Sequence, residues 1–195
     1  MHPNPAFRPA DADLLAAAER IGFAHVFAAA ADGPMMVHAP VTLHDGTPRF
    51  HVARGNRVTR HLDGARVLLS LVEVHGYISP NWYAVPCDQV PTWNYVSVEI
   101  DGIARAIGEN ALIEQLDRLA AVHEPRDHPW HRAKMDPAAF ARLLPAIRGF
   151  AVEIAAIRGT TKLSQNKPDA DRTGVIAGLR REGNHILAAR MADLP

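Results

Sequence analysis

Apolar residues recur along the chain first at helical and then at strand spacing. Leu14, Leu15, Ala18 and Ile21 follow Asp11 at three- and four-residue intervals, which predicts a short amphipathic helix capped by that aspartate. The period then shortens. Phe23–Ala30, Met35–Leu43 and Arg49–Ala53 read as three strands of a β-meander, separated by the hairpin dipeptides Asp32-Gly33 and Asp45-Gly46. Arg54 to Gly64 is a basic, turn-rich interruption predicted to hold one or two helical turns. Ala65 to His75 carries the apolar run of a buried strand, and Tyr95 to Ile107 alternates as a long strand with a bend or bulge expected at Asp101-Gly102. A helix is predicted from about Asn110 to Val122, with Leu112, Leu116 and Leu119 on one face. Asp136-Pro137 is an N-cap followed by proline at the first helical position, opening a helix to about Ile147. Gly149 to Ile157 reads as a closing strand, and a last helical region, with Asp169 as its cap, is broken at Gly183-Asn184. Five to seven antiparallel strands with helices on the connections and at the C-terminal end predict an α+β, mainly β fold, a small barrel with peripheral helices. At 195 residues the whole chain reads as one domain, with a barrel core over about 20–160 and a helical region over about 168–195.

Between the fourth and fifth predicted strands lies GYISPNWYAVPCDQVPTWNY. This stretch holds all three tyrosines, two of the three tryptophans and the single cysteine, Cys87. Its prolines fix the path of a rigid excursion, and its aromatic rings with polar handles suit either a plug at one barrel end or a ligand site.

Composition removes several classes of function. Lys+Arg and Asp+Glu are 21 each, so the chain lacks the net positive charge that holds DNA by its phosphates, and no basic stripe or helix-turn-helix pattern compensates. One cysteine excludes an intramolecular disulfide framework and a cysteine-based zinc site, and suits a reducing compartment. No apolar run approaches the roughly 18 residues of a spanning helix. The start of the sequence lacks the pattern of a secretory signal, so a cytoplasmic protein is expected. No two glycines stand two apart and no phosphate-loop motif occurs. His123, His128 and His131 tempt a metal reading, but Pro125 and Pro129 break any helix that would gather them, and no metal site is expected.

Two polar clusters survive. His51, Asn56, Arg57, Arg60 and His61 surround the end of the third strand, and offer either a cationic phosphate-binding turn or a solvated helical turn. Lys162 to Lys167 (KLSQNK) offers two cations, a hydroxyl and two amides to one ligand, or a surface loop leading into the next helix.

Four motifs, HVARGN at 51–56, the GYISPNWY run, VPTWNY at 90–95 and KLSQN at 162–166, stand in an order and at spacings that resemble PaiB-type proteins, classed as FMN-binding negative transcriptional regulators. The resemblance covers most of the chain. It implies an FMN-binding split β-barrel, antiparallel and Greek-key-like, in a homodimer with the flavin site at the subunit interface. His51, Ala53, Asn56 and Arg60 would then form the near side of an FMN site, with Arg60 standing where the family commonly has a phosphate-facing lysine. His38 would lie by the ribityl chain or ring. Thr92, Trp93 and Asn94 would contribute from the aromatic segment, and Lys162, Ser164, Gln165 and Asn166 would close the site. Tyr77, Trp82 and Tyr83 would pack at the dimer interface and barrel end. Arg57 departs from the family, whose members usually carry proline there. The resemblance implies a transcriptional regulator acting with or through bound flavin, with DNA as a partner that the charge balance does not support. The alternative is a flavin-dependent oxidoreductase or flavin reductase using NAD(P)H. Haem or another planar ligand is a third reading.

Overall fold

A computed structural model describes residues 2–9, 14–31, 33–85 and 88–194. Asp11, Asp32 and Cys87, each singled out above, lie outside them. Among the described residues six strands and six helices occur: α1 (Leu14–Ile21), β1 (Phe23–Ala30), β2 (Gly33–His44), β3 (Thr47–Ala53), α2 (Thr59–Leu62), β4 (Arg66–Ile78), β5 (Thr92–Ala106), α3 (Glu109–His123), α4 (Pro137–Leu143), β6 (Ile147–Lys162), α5 (Asp169–Arg181) and α6 (His185–Ala192). The strands close a barrel in the order β1-β2-β3-β6-β5-β4. β1, β2 and β3 form the meander, and β4 returns beside β1, so four strands lie in the Greek-key order 4-1-2-3. This is the split-barrel architecture that the resemblance implied.

By internal packing the chain divides into two compact units, one of residues 13–71 and 99–158, the other of residues 1–12, 72–98 and 159–195. Strands β4, β5 and β6 contribute residues to both.

In the first of these, the barrel unit, alternation decides which side chains are inside. Val37, Ala39 and Val41 on β2 are buried, as are Phe50 and Val52 on β3. Phe50 pairs with Phe150 across β3 and β6, and their fully buried rings stack 5.4 Å apart. The β2–β3 hairpin turns on Asp45 and Gly46, both at positive φ (49° and 75°), which is the two-residue geometry that a strand's right-handed twist favours. Helix α3 lies on the outer face of β2 and β3, where the Arg49 guanidinium donates to the Ala111 carbonyl (3.2 Å) and to Glu114 (3.0 Å).

Two expectations are corrected here. β5 carries no bulge at Asp101-Gly102: burial alternates unbroken through Val98, Ile100, Gly102 and Ala104. Gly102 is there because a Cβ would fall on the Glu153 carbonyl. The helix opened by Asp136, whose carboxylate accepts from the Ala139 amide at 2.8 Å, ends at Leu143 rather than Ile147. Pro145 follows within a 3-10 turn, and the chain is already extended at Ile147.

The second unit has its own core, built from Val74, Ile78, Tyr83, Val96, Leu163, Val175, Leu179, Leu187, Ala188 and Met191. Its aromatic segment is shorter as a loop than the sequence suggests, because Gly76–Ile78 complete β4 and Thr92 opens β5. Between them, Pro80–Trp82 make a 3-10 turn capped by the Ser79 hydroxyl. Trp82 lies against α5 at its two glycines: a Cβ at Gly174 would strike the Trp82 carbonyl, and one at Gly178 its indole. Asp171 of α5 accepts from the Ala84 amide (2.9 Å), anchoring the same loop. Asp169 is the first residue of α5 rather than its cap, and its carboxylate faces Arg172 at 3.6 Å. The helices break where expected, with Gly183 at φ 83° and the Asn184 side chain capping α6.

Alanine at Gly174 adds helix propensity of up to about 1 kcal/mol but meets a backbone carbonyl that no side-chain rotation removes. Gly174→Ala is expected to lower stability by about 1–3 kcal/mol, or about 2–4 °C of Tm per kcal/mol in a chain of this length. Scanning calorimetry checks it; an unchanged or higher Tm would remove Trp82 as the constraint on α5.

Candidate functional site

The first polar cluster belongs to the barrel unit. Ala53 ends β3, and its carbonyl accepts from the Asn56 amide (3.0 Å) and the Thr59 hydroxyl (2.8 Å). The Asn56 side chain accepts from the Val58 amide (3.1 Å), so this asparagine shapes the turn. Buried Val58 and Leu62 anchor it from below. Arg54 donates to the carbonyls of Pro145 (2.6 Å) and Ile147 (3.5 Å). What the turn leaves exposed is Arg57 and Arg60, the latter donating from Nε to the His61 ring (2.9 Å).

His51 and His38 lie elsewhere in that unit. Phe50 and Val52 point into the barrel, so His51 between them faces outward, opposite Gln115 of α3. Burial lowers its pKa from the usual 6.5, offset in part by Gln115. The fully buried Gln115 amide is near enough to His51 to raise its pKa but meets strict hydrogen-bond geometry with no partner, and the Thr42 hydroxyl has no protein hydrogen-bond partner. His38 is exposed on the outer face of β2, stacked 6.1 Å from Phe23 and edge-on to His25 at 4.7 Å.

The second cluster forms a cavity of about 200 Å³ in the other unit, lined by Thr92, Asn94, Lys162, Ser164 and Asn166 together with Phe7, Tyr83, Gln89, Val90 and Lys167. Five of the seven residues expected from this part of the chain thus share one cavity. Lys162, the last residue of β6, donates to the Thr92 hydroxyl (2.5 Å) and the Trp93 carbonyl (3.0 Å), with its ammonium 5.9 Å from the Phe7 ring centre. Desolvation lowers its pKa from 10.5. Lys167 donates to Gln89 (2.8 Å) and lies 4.9 Å over the Tyr83 ring. Burial, and after it the charge of Asp171, raises the Tyr83 pKa. Fully buried Asn94 donates to the Ser164 hydroxyl (2.9 Å), and Ser164 holds φ 61°, the left-handed region that non-glycine residues seldom occupy.

Two expected residues do other work. Trp93 turns away from the cavity, as alternation along β5 requires, and its ring stacks on His75 at 5.9 Å while its indole N–H reaches that ring at 3.4 Å. Gln165 is a clamp: it accepts from the Leu163 amide (2.8 Å) and donates to the carbonyls of Thr161 (2.5 Å) and Ala6 (3.0 Å). Phe7, Tyr83, Gln89 and Lys167 complete the wall. Tyr83, Gln89 and Lys167 stand in segments whose composition drew attention, whereas nothing in composition marks Phe7.

The donor set can hold an anionic ligand: ammonium groups, a hydroxyl and an amide converge in a partly apolar cavity, with no carboxylate or imidazole among the described residues of its wall.

Residues 1–156 match the family model described as "Putative FMN-binding domain". The chain is 32% identical to the protease synthase and sporulation protein PAI 2 of Bacillus subtilis over 167 residues, covering 83% of this chain and 79% of that protein. Among solved structures it resembles the flavocytochrome Anf3 from Azotobacter vinelandii (15% identity, TM-score 0.63, 89% of this chain and 78% of that one). It also resembles the conserved hypothetical protein Rv2991 from Mycobacterium tuberculosis (12%, TM-score 0.62, 86% and 94%). At these identities the two structures speak for the fold.

A half-buried histidine whose pKa burial lowers gives the barrel unit a testable pH signature. Since folding lowers the His51 pKa, the unfolded chain binds more protons below about pH 6.5, and stability from this ring is complete above that value and lost as pH falls. His44, also lowered by burial and by Arg49, acts in the same direction. Urea midpoints are expected to fall between pH 7.5 and 5.5 in the parent and less steeply in His51→Leu. Parallel pH curves for the two would refute a neutral, buried ring.

Proposed function

Because the chain belongs to the PaiB-type family of FMN-binding proteins and is a flavin-binding protein of that family, we propose that it is a flavin-dependent regulator of transcription, working as a homodimer and acting on DNA through another protein. The residues present fit a flavin mononucleotide. Lys162, Lys167, Thr92 and Asn166 are the donors that would hold its phosphate and carbonyl groups. The bound flavin would supply electron- and hydride-transfer chemistry.

The observation that carries the regulatory reading is the character of the cavity. Among the described residues its ionisable wall groups are two lysines and the buried Tyr83, which suits holding a ligand more than moving protons. The name of the 32% identical Bacillus relative, which refers to protease synthesis and sporulation, points the same way.

Indirect action follows from charge. Among the described residues nine arginines pair with carboxylates, including Arg66 with Asp101 (2.7 Å), Arg118 with Glu19 (2.7 Å) and Arg49 with Glu114 (3.0 Å). With a net charge of zero, the chain lacks the cationic surplus that holds a DNA backbone. Dimerisation is supported by the outer face of β1 and β2, where Phe23, Phe27 and Met36 are 54%, 42% and 44% exposed, a patch that a second copy would cover by two-fold symmetry.

The purified protein is expected to be yellow and to release FMN on denaturation, identified by absorption and mass spectrometry. It is expected to show no tight, salt-sensitive band shift with DNA on its own. A colourless protein that fails to take up FMN sinks the reading; sustained NAD(P)H oxidation by the loaded protein moves it to the oxidoreductase class.

A further inference from the structure

The histidine- and proline-rich segment that follows α3 encloses a space of its own in the barrel unit. From Glu124 to Met135 the chain is regular only at one 3-10 turn, Arg132–Lys134, yet its own side chains hold it in shape. Glu124 accepts from the Trp130 amide (2.9 Å), and the Lys134 ammonium donates to the Pro129 carbonyl (2.8 Å). Arg132 grips the Asp117 carboxylate of α3 through Nε (3.1 Å) and a terminal nitrogen (3.1 Å). Fixed in this way, the segment and the last turns of α3 surround a cavity of about 500 Å³, within the range of about 300–1,000 Å³ of small-molecule sites. None of its wall residues belongs to the cavity at the end of β6.

The wall has an apolar side and one uncommitted group of each charge. Pro125, Pro129 and the half-buried Trp130 supply the apolar side. Of the four acid and arginine side chains on the wall, Asp117 and Arg132 neutralise each other. Among the described residues Arg126 forms no ion pair, and the Glu124 carboxylate accepts from a backbone amide alone. Ala121 adds a second acceptor. The last amide bond of α3 runs from Glu124 to the Ala120 carbonyl, and the next donor in the series would be Pro125, which has no N–H. The carbonyl of Ala121, a wall residue, thus lacks its helical partner at the end of the helix where the macrodipole is negative.

We propose that this cavity binds a small zwitterion with an apolar body, the chemical class of the free apolar α-amino acids. The ammonium goes to Glu124 and the Ala121 carbonyl, the carboxylate to Arg126, and the body against Trp130 and the two prolines. A ligand with a single charge satisfies one of these groups and leaves the other unanswered. A zwitterion answers both and adds no net charge to a wall whose two acids and two arginines cancel. A guanidinium suits the carboxylate because its planar fork takes both oxygens. The inference goes beyond the flavin reading and does not rest on it.

Calorimetric titration at pH 7.5 and low salt tests this with three probes: phenylalanine, phenethylamine, which lacks the carboxylate, and phenylpropionate, which lacks the ammonium. Phenylalanine is expected to bind the parent protein at least tenfold more tightly than either analogue. Arg126→Gln removes an exposed charge, and Glu124→Gln keeps an oxygen for the Trp130 amide, so both variants are expected to keep the parent Tm. Each is expected to weaken phenylalanine at least tenfold. Arg126→Gln should leave phenethylamine binding as it is, and Glu124→Gln should do the same for phenylpropionate. The zwitterion site is overturned if the parent binds no phenylalanine, if either analogue binds as tightly as phenylalanine, or if either folded variant binds phenylalanine as the parent does. The comparison of probes uses the parent alone, so it decides the matter even where a variant fails to fold.

Discussion

A half-buried ammonium without a carboxylate partner organises the unit that carries the cavity. Lys162 must find neutral acceptors, and it finds them at the start of β5, in the Thr92 hydroxyl and the Trp93 carbonyl. β5 and β6 are neighbours in the barrel order, so this pair of bonds joins the last residue of one strand to the first two of the other. The aromatic loop therefore ends, and the KLSQNK segment begins, at the same cation. Fixing both ends of the wall by one side chain is what lets a loop without regular structure line a defined space.

The rest of that wall is held from behind. Gln165 spends its whole amide on backbone groups, accepting from Leu163 and donating to Thr161 and Ala6. Its neighbour Ser164 is thereby kept at φ 61°, and the Ser164 hydroxyl receives the amide of buried Asn94. A non-glycine residue in this region costs of order 1 kcal/mol or more, and it persists because these bonds over-determine it. A KLSQN motif thus divides its labour: Lys162 and Asn166 face the cavity, Leu163 enters the core, Ser164 carries the strained turn, and Gln165 holds it.

Much of this was legible in the sequence because it rests on local rules. The strands β1 to β3 fall where period-two alternation and the Asp45-Gly46 dipeptide put them, and α3 and α4 begin where predicted to within a residue or two. The extra length of β4 and β6 was not legible. Both run on past a glycine, Gly76 and Gly159, a residue depleted in strands that reads by propensity as an end. Gly102 misled for the same reason, because what it answers is the approach of the Glu153 carbonyl from another strand. The alternation that separates Thr92 and Asn94 from Trp93 was available, and it places the two polar residues on the cavity and the indole against His75. The clamp made by Gln165 left no trace in composition or spacing, since its partners are carbonyl and amide groups set by the fold.

The two polar clusters, similar on paper, differ once their charges are traced. At the barrel turn, Asn56 is used by the backbone and the cations Arg57 and Arg60 stand in solvent, where water screens them and a bound anion gains little over a hydrated one. At the cavity the ammonium groups sit over aromatic rings and half out of water, where the same charge acts through a lower dielectric. Among the described residues nine arginines pair with acids, and two of these pairs, Arg49 of β3 with Glu114 and Arg118 with Glu19 of α1, tie α3 to its neighbours. The two clusters therefore differ in the dielectric around their cations rather than in the charge they carry.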